Sequence, residues 1–428
     1  MKVIIVGAGI AGLAAGIGLR RKGHEVQIFE RSSLLREVGA AINVCPNASQ
    51  VLHHWGFDTK RARMVTARRH ILASGSSLEP ITDVQYPNFK ELYGGPWLLA
   101  HRVDLHSELR RVATESEGLG QPVQLSLRSE VIDYDVEKGS IQLADGSSHH
   151  ADLVVAADGV HSSAVRHVVG YATPAVSTGW AVFRFLIPAD ELREDLEISS
   201  LLEGGSTKLE NGLMRIFATA GSMKRLVWYP CADNTIQNFV AVHEDRRPDD
   251  HVREDWDQSA DVKDVEFHYS DFHPDLMKIV RKAKSIKRWP LLYRDPIPTI
   301  SKGRLVLIGD AAHPMLPHQG QGGAQAIEDA AALSEILADL PVNTPRDEIR
   351  NRLEVFEQVR LRRVSAMQIL SNAGQDQAFR IRERAQQYMP DGVKVPERQL
   401  EFWEHNFGYD VIADSRCHLQ LYLNGDRR

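Results

Sequence analysis

Cysteine is scarce in this 428-residue chain: Cys45, Cys231 and Cys417 stand far apart, which excludes a disulfide framework and a CxxC-type metal knuckle. A reducing, intracellular and cytoplasmic setting is the expectation. A basic excess is missing too. With a formal net charge of -6 and a pI near 6.3, neither a polyanion-binding face nor a nucleic-acid partner is expected. Long apolar runs are lacking as well. The one uncharged stretch, residues 3–19, is broken by Gly7, Gly9 and Gly12 and runs into Arg20-Arg21-Lys22, which argues against a secretory signal. No other stretch reaches the roughly 20 apolar residues of a membrane span. His101, His313 and His318 have no HxH or HExxH spacing, so no metal site is expected. What is present is an ordinary globular composition, 43% apolar and 25% charged, with length for two or three domain-sized cores.

Residues 2–6 (KVIIV) read as a buried strand that stops at glycine, 9–22 as a helix with small residues for close packing, and 25–30 (EVQIFE) as a second strand ending in an acid. Together they make a right-handed βαβ unit. Residues 151–159 and 304–312 are apolar runs ending at an acid beside a glycine, and they read as parallel strands returning to the same sheet. Between them, 179–187, 212–218, 225–230 and 238–243 are short, alternating and aromatic, the pattern of an antiparallel layer. Beyond Ile327 the pattern is helical. Thr344 is read as an N-cap ahead of Pro345, with a buried stripe of Ile349, Leu353, Phe356, Val364, Met367 and Leu370. Arg350, Arg352, Arg360, Arg362 and Arg363, interleaved with Glu354 and Glu357, read as a solvated face. The fold class is α/β. A discontinuous Rossmann-like domain takes 1–75, 98–175 and 290–340, an inserted, mainly antiparallel β-sheet substrate domain takes 76–97 and 176–289, and 341–428 forms a C-terminal helical segment and tail.

Gly7, Gly9 and Gly12 form GxGxxG between strand and helix. The first makes the turn, the second admits a pyrophosphate to the backbone, and the third allows close helix packing. Glu30, at the end of the next strand, stands where an acid accepts ribose hydroxyls. Asp310 ends a later strand, where an acid can hold a second sugar-like chain. Gly320, Gly322 and Gly323 open a helix whose free N–H groups would face an electron-rich ring edge and favour a reduced, anionic flavin.

Three ordered segments carry a resemblance: GAGIAG with Glu30, ADGVHSSAVR at 157–166, and GDAAHPMLPHQGQGGAQAIEDA at 309–330. The chain resembles the group A flavoprotein monooxygenases, in their salicylate hydroxylase-like branch. The resemblance implies a p-hydroxybenzoate hydroxylase-like fold whose Rossmann-like domain binds FAD. By the same resemblance Arg102 contacts the FAD pyrophosphate, Asp310 the ribityl chain and the Gly320–Gly323 loop the isoalloxazine. Asp158, with Gly159, His161 and Arg166, resembles a segment assigned to both FAD and NAD(P)H. No second GxGxxG is present, which suits a nicotinamide that binds transiently. The segment from Gly39 to Asn43 resembles a loop beside the flavin, with Ala41 in place of a usual glycine.

On the substrate side the resemblance assigns Arg184 and Tyr229, while Arg225 replaces a histidine found in salicylate-type relatives. Arginine is no base at neutral pH, but it can pair with a phenolate or carboxylate. Arg184 and Arg225 are therefore expected to anchor an anionic ring and Tyr229 to orient its hydroxyl, within walls of Trp97, Trp180, Phe183, Phe185 and Trp228. The implied reaction hydroxylates a small aromatic substrate with NAD(P)H and O2 through a flavin C4a-hydroperoxide. The residues leave open an FAD oxidase or dehydrogenase of the same fold and a non-catalytic flavoprotein scaffold, as well as monomer or homodimer and the role of the tail aromatics Trp403, Phe407 and Tyr409.

Overall fold

The computed structural model describes residues 1–33, 40–245 and 258–425. Gly39 and positions 246–257, the latter within the segment assigned to the inserted sheet, lie outside the described residues. The β-branched run Lys2–Val6 lies inside a six-stranded sheet, parallel to Glu25–Glu30 on one side and to Leu153–Ala156 on the other. Leu153–Ala156 in turn pairs parallel with Leu305–Leu307, so both apolar runs do return to the first sheet. Helix α1 (Ile10–Arg21) packs so closely on it that a Cβ at Gly16 would sit 3.2 Å from Ile28 Cδ1. The acid or glycine after each strand falls at the same sheet edge, which is where parallel α/β sheets gather a ligand.

The second large sheet has eight strands, in the order Ser259–Ala260, Ile286–Tyr293, Val176–Pro188, Ile236–Glu244, Arg225–Cys231, Leu213–Ala218, Arg69–Ser74 and Pro80–Gln85. Its pairings are antiparallel except that of Leu213–Ala218 with Arg69–Ser74. Two expected boundaries are corrected here. Arg69–Ser74 belongs to this sheet although it lies within 1–75, because the glycine at 75 belongs to a hairpin, closed by Ser74 N on Glu79 O at 2.9 Å, and not to a domain border. At the other end, Ile286–Tyr293 runs past 289.

Strand alternation divides this sheet into two unlike faces. Phe183, Phe185, Leu226, Trp228, Phe239 and Ala241 point one way, into a core closed by the helices Val262–His268 and Pro274–Val280. Val182, Val240, Val242, Trp289 and Leu291 point the other way and cluster with Ala40 and Leu316, which lie outside this sheet.

Helix α2 (Gly322–Ile336) packs on α1, and the 25-residue helix α3 (Arg346–Leu370) packs on α2. The stripe from Ile349 to Leu370 is buried as read. Helix α3 starts one residue later than read: Pro345 takes the N-cap position, and Thr344 Oγ1 donates to Pro341 O at 2.6 Å. The arginines require a larger correction. Arg350 and Arg362 are solvated, but Arg352 and Arg360 are buried and Arg363 nearly so, because their partners are acids of α2 and its C-terminal flank. The tail aromatics close the core: Trp403 and Phe407 meet Phe89 edge-on at 5.1 and 5.6 Å, and Tyr409 lies under Arg363.

Burial also builds in an acid sensitivity. His24 is sealed between the N-terminal amine (3.1 Å) and Leu337 O (3.0 Å), and burial, reinforced by that ammonium, pushes its pKa down to about 4. His405 is lowered to about 4 by burial and Arg363. The unfolded imidazole takes a proton near 6.5 and the folded one only near 4, so stability is lost as the pH falls from about 6.5 to about 4. His24 alone should cost about 2 kcal/mol between pH 7 and pH 5. Urea unfolding of His24→Gln at both pH values should show that share removed; an unaltered pH dependence would clear His24.

Candidate functional site

Gly7 turns the backbone with φ +98°, and a Cβ there would lie 2.5 Å from Ala157 O. A Cβ at Gly12 would fall 1.9 Å from Gly7 O. Gly9 is the opposite case. It is the N-cap of α1, and among the described residues no side chain caps the helix and a Cβ there would meet nothing within 4 Å, so the first-turn N–H groups open on free space. Glu30 borders that space. Its Oε2 accepts from Ala8 N (2.8 Å) and its Oε1 from Ser32 N (2.7 Å), which leaves each oxygen a further lone pair. His106 braces the turn from behind, Nε2 to Ala8 O at 2.7 Å.

Asp158 follows the neighbouring strand. Its Oδ2 accepts from the Tyr134 hydroxyl at 2.9 Å, and its Oδ1 is buried with no hydrogen-bond partner among the described residues. Burial raises its carboxyl above the usual range, with the Tyr134 hydroxyl among the groups opposing that. Free N–H groups beside carboxylates with unused lone pairs fit the pyrophosphate and sugars of a dinucleotide.

Asp310 is encircled by protein, yet its side chain keeps access to solvent. That enclosure raises its carboxyl, against the pull of His313, Arg102 and Arg294. Arg294 is buried and donates to Ala311 O (2.7 Å) and Ala312 O (3.0 Å), pinning the turn after Asp310; burial lowers it to about 10, so it stays cationic at neutral pH. Arg102 heads the helix Arg102–Thr114, its backbone N on Ala40 O at 2.8 Å. The glycine loop lies against the adjoining strand: side chains at Gly320 and Gly323 would start 3.3 Å from Asn43 Cβ and 3.0 Å from Ile42 Cδ1, while one at Gly322 would meet only Met315 within 4 Å among the described residues. Among the described residues no side chain caps α2 at this end. Ala41 is buried, its N on Asn238 Oδ1 at 3.1 Å, so its methyl packs among Leu99, Met214 and Tyr229.

The apolar sheet face roofs this floor. Arg184 projects from it with its guanidinium 4.5 Å from the centre of the Trp289 ring. Tyr229 is on the same face beside Ala41. Burial pushes its phenol well up, the Arg184 charge opposing, so it remains a protonated hydroxyl. Arg225 shares the strand and face of Tyr229 but lies about 13 Å along it, four residues at about 3.3 Å each. It is buried, with its Nε on Met223 O at 3.2 Å. Thus Arg184 and Tyr229 fall together near the floor, and Arg225 at the outer end.

The expected walls need correction. Phe183, Phe185 and Trp228 occupy the far face, in the core under the helices. Trp97 is behind the floor, stacked on Tyr86 at 5.1 Å with its Nε1 donating to Asn43 Oδ1 at 3.0 Å. Of the five, Trp180 borders the cluster of Val182, Val240 and Trp289, and Trp97 packs against the cluster that holds Ala41 and Tyr229. The sequence reading missed Trp289, Leu316, Asn238, Arg294 and Tyr134. Trp289 and Leu291 were in reach, since RWPLLY alternates as an apolar strand; the others act through partners remote in sequence. Among the described residues no group of three His, Cys, Asp or Glu is placed to hold a metal, and no helix is long and apolar enough to cross a membrane.

A βαβ dinucleotide cradle facing an apolar, arginine-bearing β-sheet fits a nucleotide-cofactor oxidoreductase. The chain belongs to the FAD-dependent monooxygenases: the family described as "FAD binding domain" matches residues 1–369. It is 40% identical to an FAD-dependent monooxygenase of Diaporthe leptostromiformis over 94% of this chain and 98% of that one. It is 32% identical to 3-hydroxybenzoate 6-hydroxylase 1 of Aquipseudomonas alcaligenes over 78% of this chain and 79% of that one. Its fold matches a salicylate hydroxylase substrate complex with a TM-score of 0.73 and 24% identity, covering 98% of each chain. It is thus an FAD-dependent flavin monooxygenase of the aromatic hydroxylase family, with the fold expected from its motifs.

Proposed function

We propose that this enzyme hydroxylates a small phenol- or hydroxybenzoate-like ring, with NAD(P)H as reductant and O2 as oxygen source, in the reducing cytoplasm that its free cysteines suit. When bound, FAD supplies the redox chemistry: it accepts electrons from the nicotinamide and activates dioxygen for transfer of one oxygen atom to the ring. Gly7, Gly9 and Gly12 with Glu30 would receive the adenosine pyrophosphate end, Arg102 and Asp158 its middle, and Asp310 the ribityl chain. Gly320, Gly322, Gly323 and Ala41 would line the isoalloxazine.

One observation carries the substrate assignment: Arg184 and Tyr229 stand together on the apolar roof facing that floor. A cation on a dry surface selects a phenolate or carboxylate, because pairing there offsets the cost of burying the anion. The Tyr229 hydroxyl donates to the ring's oxygen and orients it. Val182, Val240, Trp289 and Leu316 keep water away from the reacting atoms. Arg225, at the outer end, would hold a second anionic or polar substituent. The test is NAD(P)H consumption by the FAD-loaded enzyme with a panel of hydroxybenzoates, phenols and aromatic heterocycles. One ring class should raise the rate at least about tenfold; indifference to every anionic or phenolic ring would defeat the assignment.

A further inference from the structure

Beneath the glycine loop lies a buried charge cluster that the chemistry above does not use. Glu328 and Asp329 are consecutive on α2, two turns from its start, and Arg360 and Arg363 project from α3; Glu328 and Arg360 are 0% exposed and Asp329 is 1%. Asp329 Oδ1 accepts from Arg360 Nε at 2.8 Å, and its Oδ2 accepts from Gly309 N at 2.9 Å and meets His313 Nε2 at 2.6 Å. Glu328 accepts from Arg360 Nη1, from Arg363 Nε and Nη2 (both 2.8 Å) and from Asn47 Nδ2 (2.5 Å). Arg360 Nη2 also donates to Gln325 Oε1 at 2.7 Å, and Gln325 and Asn47 both donate to Gln321 Oε1, in the loop before α2. Burial alone would neutralise the two acids, but the arginines, with His313 at Asp329, hold both below the usual carboxylate range.

Two features go beyond holding helices together. Glu328 and Asp329 face Arg360 and Arg363, with His313 set against Asp329, in a medium where charge is felt at long range. The cluster also grips both parts of the floor: the backbone of Gly309, next to Asp310, and, through Gln325 and Gln321, the residues that flank Gly322 and Gly323 at the start of α2.

We propose that this four-charge cluster, with Arg360 as its keystone, sets the reduction potential of the bound flavin. The inference rests on FAD binding but not on any aromatic substrate. Reduction brings negative charge onto the flavin, so a change in the fixed charge beneath it moves the potential in a direction set by sign. Asp329→Asn removes a negative charge and makes the flavin easier to reduce. Arg360→Gln removes a positive one and makes it harder. Arg360→Lys keeps the charge and stays near wild type, and the double variant Arg360→Gln/Asp329→Asn cancels.

The measurement is the midpoint potential of the full-length, FAD-loaded enzyme, by equilibration with reference dyes under anaerobic conditions, without NAD(P)H or substrate. FAD affinity is measured alongside. The expected result is opposite-signed shifts for the two single variants, a small one for Arg360→Lys, and FAD affinity roughly ten- to a hundredfold weaker for Arg360→Gln. A purely structural cluster would weaken FAD binding without sign-dependent shifts in potential, and that result would overturn the proposal. Should Arg360→Gln fail to fold, the other two decide it: Asp329→Asn must move positive and the double variant must return toward wild type. A sign-dependent shift in an enzyme that ignores the aromatic panel would leave this inference standing and refute only the substrate assignment.

Discussion

Gly12→Ala is expected to yield a protein that retains no FAD and is destabilised by about 3 kcal/mol or more. The added methyl would lie 1.9 Å from Gly7 O, an overlap of backbone with side chain that no rotamer relieves. Nor can the turn retreat, because Gly7 already lies against Ala157 from the other side, where a Cβ would come within 2.5 Å. Helix α1 would have to lift from the sheet, taking its N-terminal N–H groups away from the pyrophosphate position. Gly9→Ala separates folding from binding. With open space in front of it, it should unfold at the wild-type temperature yet bind FAD at least about tenfold more weakly, since its methyl would stand where a pyrophosphate must approach. Flavin absorbance after gel filtration and thermal unfolding read both; a yellow, stable Gly12→Ala protein would refute the cradle.

Arg184→Met should lower kcat/KM for the preferred anionic ring by about a hundred- to a thousandfold, the loss typical of a charged donor removed from a dry site. Methionine can keep the aliphatic contact with Trp289, so stability and bound flavin should change little. A non-ionisable ring of similar shape should lose far less, because only the anion needs the cation. Equal losses for both rings would mean that Arg184 serves packing and not recognition.

Much of this was legible in the sequence where local geometry dictates residue type. The turn at Gly7, the overlap at Gly12 and the acids after parallel strands demand particular residues at fixed spacing, so the first sheet and the cradle could be read. The roof could not. In strands such as WAVFRFLI both faces are apolar, and alternation alone does not say which face meets helices and which meets the cleft; Phe183, Phe185 and Trp228 were placed on the wrong one. The arginines of α3 misled for a related reason. Arg360 alternates with acids as a solvated face does, but its partners are Glu328 and Asp329, some thirty residues earlier and within a mostly apolar helix. Arg294 likewise gives no local sign of pinning the turn after Asp310.

The central claim is that oxygen from O2 enters a ring held under Arg184 and Tyr229. The most direct test is turnover of the best ring substrate under oxygen-18-enriched dioxygen, with the product read by mass spectrometry. The account predicts one labelled oxygen per product molecule and none when the label is in water; unlabelled product with stoichiometric hydrogen peroxide would contradict it and mark the enzyme as an oxidase.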